Sequence, residues 1–390
     1  MRVPALRAPN PATSCGAKYL APKFIWGFFL PQIANCQLSI YNYLMPFLDR
    51  RKFIKTTGGG LCAAALGGIT AGCQAKGETA FSRRRHGDDP TANCGAESAV
   101  RLADKPQADS DWPGFKYAMC NESMPELTWQ EQCQIIGNAG YKGIEVAAFT
   151  LVKQDVQEIT AARRREMVSA MQDAGIECVG LHWLLTPPPK GLHFTTPDVT
   201  VRQKTIVYFH ELIDFCADLG GPYMILGSPK QRSTMGISVA EAKKYFAEGL
   251  AKVAGHAQQR GVKILIEPLA KGATDVVNTL AEALDLAKQV GHAAIAIIFD
   301  FHNTGDETEP FDVLLKKYLQ YIHHVHVQEM DGKHLGTGTA VRDYVQAFQT
   351  LKDLKYDKWI SLEVFDFSPG GKKIAEESMR ALKQIEAKLA

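Results

Sequence analysis

From Gly114 onward the sequence repeats one pattern, a short apolar run followed by a segment with helical spacing. The pattern occurs eight times over about 275 residues, a count and a length typical of a (β/α)8 barrel. Runs such as "VKILIEP" and "AIAIIFD" are almost continuously apolar, as strands buried on both faces are. The predicted strands are Phe115–Cys120, Gly143–Phe149, Ile176–Leu184, Tyr223–Ser228, Val262–Leu269, Ala294–His302, Ile322–Glu329 and Trp359–Phe365.

Helix start and stop signals separate these strands. Thr128-x-x-Glu131 and Ser238-x-x-Glu241 are capping boxes, and glycines such as Gly140 follow the ends of the predicted helices. The main alternative is a doubly wound open sheet. Its phosphate-binding GxGxxG is absent from the first strand–helix turn, "CNESMPEL". The sequence therefore predicts a (β/α)8 TIM barrel.

The first hundred residues differ from the barrel. Arg50-Arg51 precede a mild apolar tract that ends in "TAGC", which resembles a twin-arginine export signal; the alternative is a chance basic pair before an Ala/Gly tract. Cys73 resembles the end of a lipobox, although Thr70 stands where leucine is usual. Met45 is a candidate natural start. We expect export to the periplasm, as a soluble protein or as a lipoprotein whose only membrane contact is an anchor at Cys73.

Three regions follow from this division. Residues 1–73 are predicted to be an upstream extension with the signal, residues 74–113 a flexible linker, and residues 114–390 the barrel. The chain as a whole has an ordinary globular composition, 46% hydrophobic and 22% charged, with a net charge of +2. This balance gives no reason to expect a nucleic-acid partner. Nine cysteines without CxxC spacing favour neither a zinc ribbon nor a disulfide scaffold.

Most of the predicted strands end in a polar or ionisable residue. In such a barrel the active site lies at the carboxyl ends of the strands. A carboxylate in an apolar strand is costly unless it is paired or metal-bound, so the alternative is a set of satisfied core groups. The residues are Glu145, His182, Ser228, Glu267, Asp300, His302, His326 and Glu363.

Four histidines lie in the run "YIHHVHVQEMDGKH". Period-2 alternation puts His324 and His326 on one strand face and His323 on the other. A pair of histidines on the same face can bind a metal, or both can be core histidines whose hydrogen bonds are made within the protein. Because His326 lies nearest the strand end, we expect it to be the ligand and His324 to orient or pack below it. His323 is expected between barrel and helices, and His334 in a solvated loop.

Two glutamates, one aspartate and one histidine thus end four successive strands. Such an oxygen-rich set with net negative charge suits one divalent cation, Mn²⁺, Mg²⁺ or Co²⁺, with Zn²⁺ as an alternative. The predicted metal ligands are Glu267, Asp300, His326 and Glu363.

The motifs "LIEPL", "FDFHN", "HVHVQE…GTG" and "SLEVF" occur in this order. As a set they resemble the xylose-isomerase-like TIM-barrel superfamily of sugar phosphate isomerases and epimerases. That superfamily includes tagatose/psicose 3-epimerases, inosose dehydratase and endonuclease IV. The resemblance covers residues 114–390 and implies the same four ligands. It also implies that Glu267 and Glu363 are the catalytic proton-transfer groups.

The chain departs from the epimerase pattern at two positions. Ala273 stands where the epimerases have a second glutamate, and Asp300-Phe301-His302-Asn303 replaces their D-x-x-H. Both changes concern substrate contacts rather than metal ligands. Further substrate-binding candidates are Glu145, His182, Lys230, Lys271 and His302, with Arg232 at the rim and Trp183 and Phe194 as stacking rings; the alternatives are solvated charges, core polar groups and lid packing.

The expected function is a metal-dependent isomerase or epimerase that acts on a small sugar or polyol through an enediolate. An inosose-type dehydratase, a lyase, would use the same intermediate. A non-catalytic exported sugar-binding protein would bind but exchange no protons. A nuclease like endonuclease IV would need more metal ligands and a basic groove. The sequence leaves the particular sugar and the oligomeric state open.

Overall fold

The eight apolar runs form eight parallel strands that close into a barrel in sequence order, with β8 paired to β1. The computed structural model describes residues 112–390. The strands are β1 (Lys116–Cys120), β2 (Gly143–Ala147), β3 (Glu177–His182), β4 (Tyr223–Leu226), β5 (Lys263–Ile266), β6 (Ile295–Asp300), β7 (Ile322–Val327) and β8 (Trp359–Leu362). The predicted (β/α)8 barrel is confirmed.

Helices follow the strands and surround the barrel. At the first helix Thr128 and Glu131 make the full reciprocal capping box. At the fourth, Ser238 caps the backbone N–H of Glu241, whose carboxylate instead accepts from Tyr245. The helices are α1 (Trp129–Ala139), α2 (Ala161–Asp173), α3 (Val199–Asp218), α4 (Val239–Gln259), α5 (Leu280–Val290), α6 (Phe311–Tyr318), α7 (Ala340–Asp343), α8 (Val345–Asp353) and α9 (Gly371–Glu386).

The main apolar core lies between the strands and the helices, because each helix buries one face against the barrel. Phe194 belongs to this layer, where its ring contacts Phe209 and Phe246 at centroid distances of 5.0 and 5.5 Å. The expectation that Phe194 stacks on a sugar was therefore wrong. Small separate clusters, such as Ile225, Leu265 and Ile298, fill part of the barrel interior.

The strands end earlier than the apolar pattern predicted. From β2 to β8 the predicted carboxyl ends lie two or three residues too late. The apolar residues beyond each ladder, such as Phe149 in a short 3₁₀ turn, belong to the loops at the mouth of the barrel. Glu267 and Glu363 consequently lie just past their strands rather than inside them.

The predicted signal in residues 1–73 lies outside the described residues, as does the linker up to residue 111. Within residues 112–390, no helix combines the length and the apolar character that a membrane span requires. The same part of the chain contains four cysteines, Cys120, Cys133, Cys178 and Cys216, which are all buried and free.

Candidate metal centre

Four side chains from β5 to β8 meet at the carboxyl end of the barrel. They are Glu267, Asp300, His326 and Glu363, called the upper ring below, and each offers one ligand atom within 4.8 Å of the others. All four are buried, with Glu267 the most exposed at 5%. The structure thus brings together the complete predicted ligand set.

The two ring nitrogens of His326 face different neighbours. Nδ1 lies 3.1 Å from Glu363 Oε2 and 3.6 Å from Glu267 Oε1, so it points into the upper ring. Nε2 lies 3.0 Å from Glu145 Oε1, on the opposite side. Burial lowers the pKa of an imidazole, but the Glu145 and Glu363 carboxylates outweigh burial and raise the pKa of His326 well above its usual value. Nδ1 is therefore the nitrogen available to a cation in the ring.

The charges and hydrogen bonds of the upper ring are incomplete without a cation. Three carboxylates surround one imidazole, and the buried Oε1 of Glu267 has no hydrogen-bond partner within residues 112–390. Burial, and then the Glu267 carboxylate, raises the pKa of Asp300 from 3.8 to about 7. Oxygen and imidazole ligands of this kind suit Mn²⁺, Mg²⁺, Co²⁺ or Zn²⁺. The four residues fit a divalent metal.

The backbone at Gly227 lies close to the Glu267 carboxylate. A Cβ atom on Gly227, which follows β4, would lie 2.2 Å from Glu267 Oε2. No side chain fits there unless the carboxylate moves. Asp300 is fixed differently: its Oδ1 accepts the His302 backbone N–H at 2.9 Å, and its Oδ2 accepts the Asn303 amide. Asn303, one of the two departures from the epimerase pattern, therefore supports a ligand.

Trp183 lies against the upper ring. Its indole N–H donates to Glu363 Oε1 at 2.6 Å. The residue has a φ of +51°, and its ring stacks on Phe149 at 5.8 Å. A non-glycine residue with positive φ is uncommon and costs free energy. This backbone conformation places an aromatic ring beside the metal ligands, and stacking of Trp183 on a sugar stays a prediction.

A second polar cluster lies one pleat deeper. Glu145 on β2, His324 on β7 and Ser361 on β8, called the lower layer below, are all fully buried. His324 Nε2 lies 2.8 Å from Glu145 Oε2 and 3.0 Å from Ser361 Oγ. Although burial raises the pKa of the Glu145 carboxyl, His326 and His324 hold it well below its usual range. Since both of its oxygens contact imidazoles, the geometry does not support the predicted substrate contact of Glu145.

His182 at the end of β3 forms a buried pair with Glu122. Its Nε2 lies 2.8 Å from Glu122 Oε2, and its Nδ1 lies 3.6 Å from Glu145 Oε1. The other carboxylate oxygen of Glu122 is buried and has no hydrogen-bond partner in the part of the chain that the structure describes. Sequence reasoning placed His182 at the mouth but missed Glu122. Glu122 follows β1 by two residues, so the rule that found the other strand-end residues could have found it.

The predicted basic rim is only partly as expected. Lys230 is exposed on the loop after β4. Lys271 lies 3.4 Å from Asp306 with a side chain 72% exposed. Arg232, in contrast, is fully buried and donates to the Leu226 carbonyl at 3.1 Å, so its expected rim position was wrong.

Three further histidines named in the sequence analysis, His302, His323 and His334, lie in different parts of the barrel. His302 is half-buried at the mouth, where its Nδ1–H donates to the Met330 carbonyl at 3.0 Å. His323 is half-buried beside Tyr223, away from the upper ring. His334 was expected in a solvated loop, but it is 3% exposed and lies 2.8 Å from Glu377 of α9. That expectation was wrong because α9 packs over the loop after β7.

Known proteins resemble this chain over the barrel. A probable ketose 3-epimerase of Synechocystis sp. is 25% identical over 272 residues, which is 63% of this chain and 86% of the relative. An inosose dehydratase of Clostridium beijerinckii is 22% identical, covering 69% and 93%. A crystal structure of D-psicose 3-epimerase in the presence of D-fructose has a TM-score of 0.60 at 20% identity and covers 69% and 97%; it shows the fold alone.

The relatives are named as a probable ketose 3-epimerase, as an inosose isomerase, which is from Bacillus velezensis, and as an inosose dehydratase. The expected enzyme class, an isomerase or epimerase with a lyase as the alternative, is therefore confirmed as the class of the chain's relatives. The family model described as xylose isomerase-like TIM barrel matches residues 133–385. The chain belongs to the xylose isomerase-like TIM barrel family.

Proposed function

We propose that this chain is a divalent-metal-dependent epimerase or isomerase of a small ketose or related polyol. The observation that supports it most is the upper ring: three carboxylates and one imidazole with ligand atoms within 4.8 Å of one another, at the end of the barrel where active sites lie. Relatives named as a ketose 3-epimerase and a D-psicose 3-epimerase support the substrate class.

A divalent cation in the ring would supply positive charge beside the carbonyl and hydroxyl oxygens of the sugar and so stabilise an enediolate. Glu267 and Glu363 would transfer the proton next to the carbonyl. One carboxylate would remove it as base, and the other would return it as acid. The Trp183 N–H would hold Glu363 in place, while the missing side chain of Gly227 leaves Glu267 room to reach the substrate.

A dehydratase of an inosose-like substrate is the second candidate. The inosose dehydratase and inosose isomerase among the relatives favour it, together with the two departures from the epimerase pattern. Ala273 has no group to contact a hydroxyl, and Asn303 is bonded to Asp300. The early proton abstraction would be the same, and only the fate of the enediolate would differ.

The test uses purified chain loaded with Mn²⁺ and a panel of ketoses and inososes in D₂O. We expect deuterium incorporation next to the carbonyl, and we expect a chelator to abolish it. A product lighter by one water identifies the dehydratase. Clear binding without deuterium exchange or turnover would refute the enzyme and favour a sugar-binding protein.

We also propose that the protein is exported by the twin-arginine route. The proposal rests on Arg50-Arg51 and the tract ending at Cys73. Replacement of both arginines by lysine should retain the protein in the cytoplasm, and undiminished export would refute the proposal. Loss of lipid labelling in Cys73→Ser would distinguish a lipoprotein from a cleaved periplasmic form.

A further inference from the structure

Glu145 lies directly behind a metal ligand rather than beside the substrate. Its Oε1 is 3.0 Å from His326 Nε2 and its Oε2 is 2.8 Å from His324 Nε2. Its ion-pair partners in residues 112–390 are all histidines, with His182 as the third at 3.6 Å. Since both oxygens of this fully buried carboxylate contact imidazoles, neither is directed at a substrate.

The two nitrogens of an imidazole point in opposite directions and have different roles in a metal site. The nitrogen that binds the metal must be unprotonated, and the other then holds the proton and needs an acceptor. In His326, Nδ1 faces Glu363 and Glu267, so Nε2 must hold the proton. Glu145 Oε1 is the acceptor within hydrogen-bond distance of that proton.

We propose that Glu145 is a positioning residue of the metal centre: it accepts the Nε2–H of His326 and so directs the Nδ1 lone pair at the metal. This inference rests on the metal site of the proposed function. It assigns to Glu145 an action through His326, with no contact to the substrate.

The contact with His324 fixes the orientation of the Glu145 carboxylate. His324 Nε2 lies between Glu145 Oε2 and Ser361 Oγ. Rotation of the carboxylate away from His326 would break the contact with His324, so the carboxylate has one satisfied orientation. Because the acceptor is a charged carboxylate, the hydrogen bond that Nε2–H of His326 donates to Glu145 is stronger than one to a neutral acceptor.

The test compares two variants of the buried network. Glu145→Gln keeps the shape of the side chain but removes the charged acceptor. The Kd for Mn²⁺ should therefore rise by about ten- to a hundredfold, the loss typical when the acceptor behind a metal-bound histidine is removed. Ser361→Ala also disturbs the lower layer but leaves Glu145 beside His326, so its Mn²⁺ affinity should stay near that of the wild type. Titration calorimetry gives both constants, and thermal melting of the metal-free variants gives their stabilities.

A merely structural role would lower the melting temperature of both variants without separating their Mn²⁺ affinities. Equal Mn²⁺ binding by wild type and Glu145→Gln would overturn the role of Glu145 alone. A wild-type chain that binds no divalent metal would instead overturn the proposed function, and this role with it.

A second measurement needs no variant. In the wild-type chain loaded with Zn²⁺, ¹⁵N NMR should show His326 protonated at Nε2 and metal-bound at Nδ1. The reverse pattern, with Nε2 bound to the metal and a proton on Nδ1, would overturn the proposal.

Discussion

The upper ring and the lower layer lie one pleat apart on β7 and β8, yet their charges are balanced in opposite ways. In the lower layer, one carboxylate faces two imidazoles, and the pKa of Glu145 lies well below its usual range. In the upper ring, three carboxylates face one imidazole. Burial there raises the pKa of Asp300 to about 7, and Glu267 Oε1 has no hydrogen-bond partner among the described residues.

The difference explains why burial of polar groups alone does not identify a ligand site. In the lower layer both oxygens of the Glu145 carboxylate contact imidazoles, so its charge is compensated internally, although the buried Nδ1 of His324 has no hydrogen-bond partner within residues 112–390. A cluster with excess negative charge and an unpartnered oxygen gains free energy when a cation binds. His326 of the upper ring contacts both clusters, with Nδ1 beside Glu363 and Nε2 beside Glu145. Variants that alter one cluster and leave the other intact therefore test the distinction.

The largest effect is expected for catalysis. Glu363→Gln keeps the shape of the upper ring but removes a proton-transfer carboxylate, so turnover should fall by about 10²–10⁴-fold. Solvent deuterium incorporation should fall in parallel, while some metal binding remains. Ser361→Ala, two residues earlier on β8, changes the lower layer and should keep most of the activity. Comparable losses in the two variants would remove the functional difference between the clusters.

The next largest effect concerns metal content. His326→Ala removes a metal ligand. Loss of a residue that only hydrogen-bonds a ligand weakens metal binding by up to about a hundredfold, so His326→Ala should weaken Mn²⁺ binding by more than that. His323→Ala is the matched control on the same strand. His323 lies away from the ring, and burial, followed by Lys358 and Lys263, lowers its pKa to about 4. Equal metal content in the two purified variants would exclude His326 as a ligand.

The sequence was sufficient for the fold and for the upper ring. Each strand is an apolar run bounded by helix signals, and the closing of eight such units follows from their number and order. The four ring residues could be selected because each ends a strand and is polar where the pattern is apolar. A barrel gathers strand ends at one mouth, so residues far apart in sequence become neighbours.

The depth of a side chain in the barrel could not be read in the same way. Period 2 tells whether a residue points inward, but its height depends on the pairing register. The register shifts between Ile144 and Glu145 on β2, and between Ile297 and Ile298 on β6. No local residue pattern signals these shifts. Glu145 was expected at the mouth although it is the third residue of the predicted strand Gly143–Phe149, and it lies in the lower layer.

A smaller effect is expected from Gly227→Ala. The new Cβ would lie 2.2 Å from Glu267 Oε2, so the carboxylate must move while the barrel around it remains. A shift of a reacting group by about 1 Å can lower the rate by about a hundredfold. We therefore expect Gly227→Ala to lower turnover by about ten- to a hundredfold. Gly272→Ala is the control, because no atom of residues 112–390 lies within 4 Å of its added Cβ. Kinetics with Mn²⁺ that match for the two variants would show that Glu267 is not confined by Gly227.

The last test concerns the pH dependence of metal binding, which separates the clusters by proton release. Asp300 has its pKa raised from 3.8 to about 7 by burial and then by Glu267, and the pKa of His326 is raised well above 6.5. Both groups bind protons more tightly in the folded, metal-free chain than in the unfolded chain. Their contribution to folding stability is thus present at low pH and is lost as the pH rises, through about 7 for Asp300.

A bound metal must displace these protons, so its affinity should rise with pH. Below about pH 7 each displaced proton should raise the binding constant about tenfold per pH unit. Calorimetry in two buffers with different heats of ionisation should show protons released on Mn²⁺ binding, with more released at pH 6 than at pH 8. In Asp300→Asn, one proton fewer should be released at pH 6. Glu145 is already ionised and should contribute none. A Mn²⁺ affinity that does not change between pH 6 and pH 8 would contradict the raised pKa of Asp300, and the upper ring would then be as balanced as the layer beneath it.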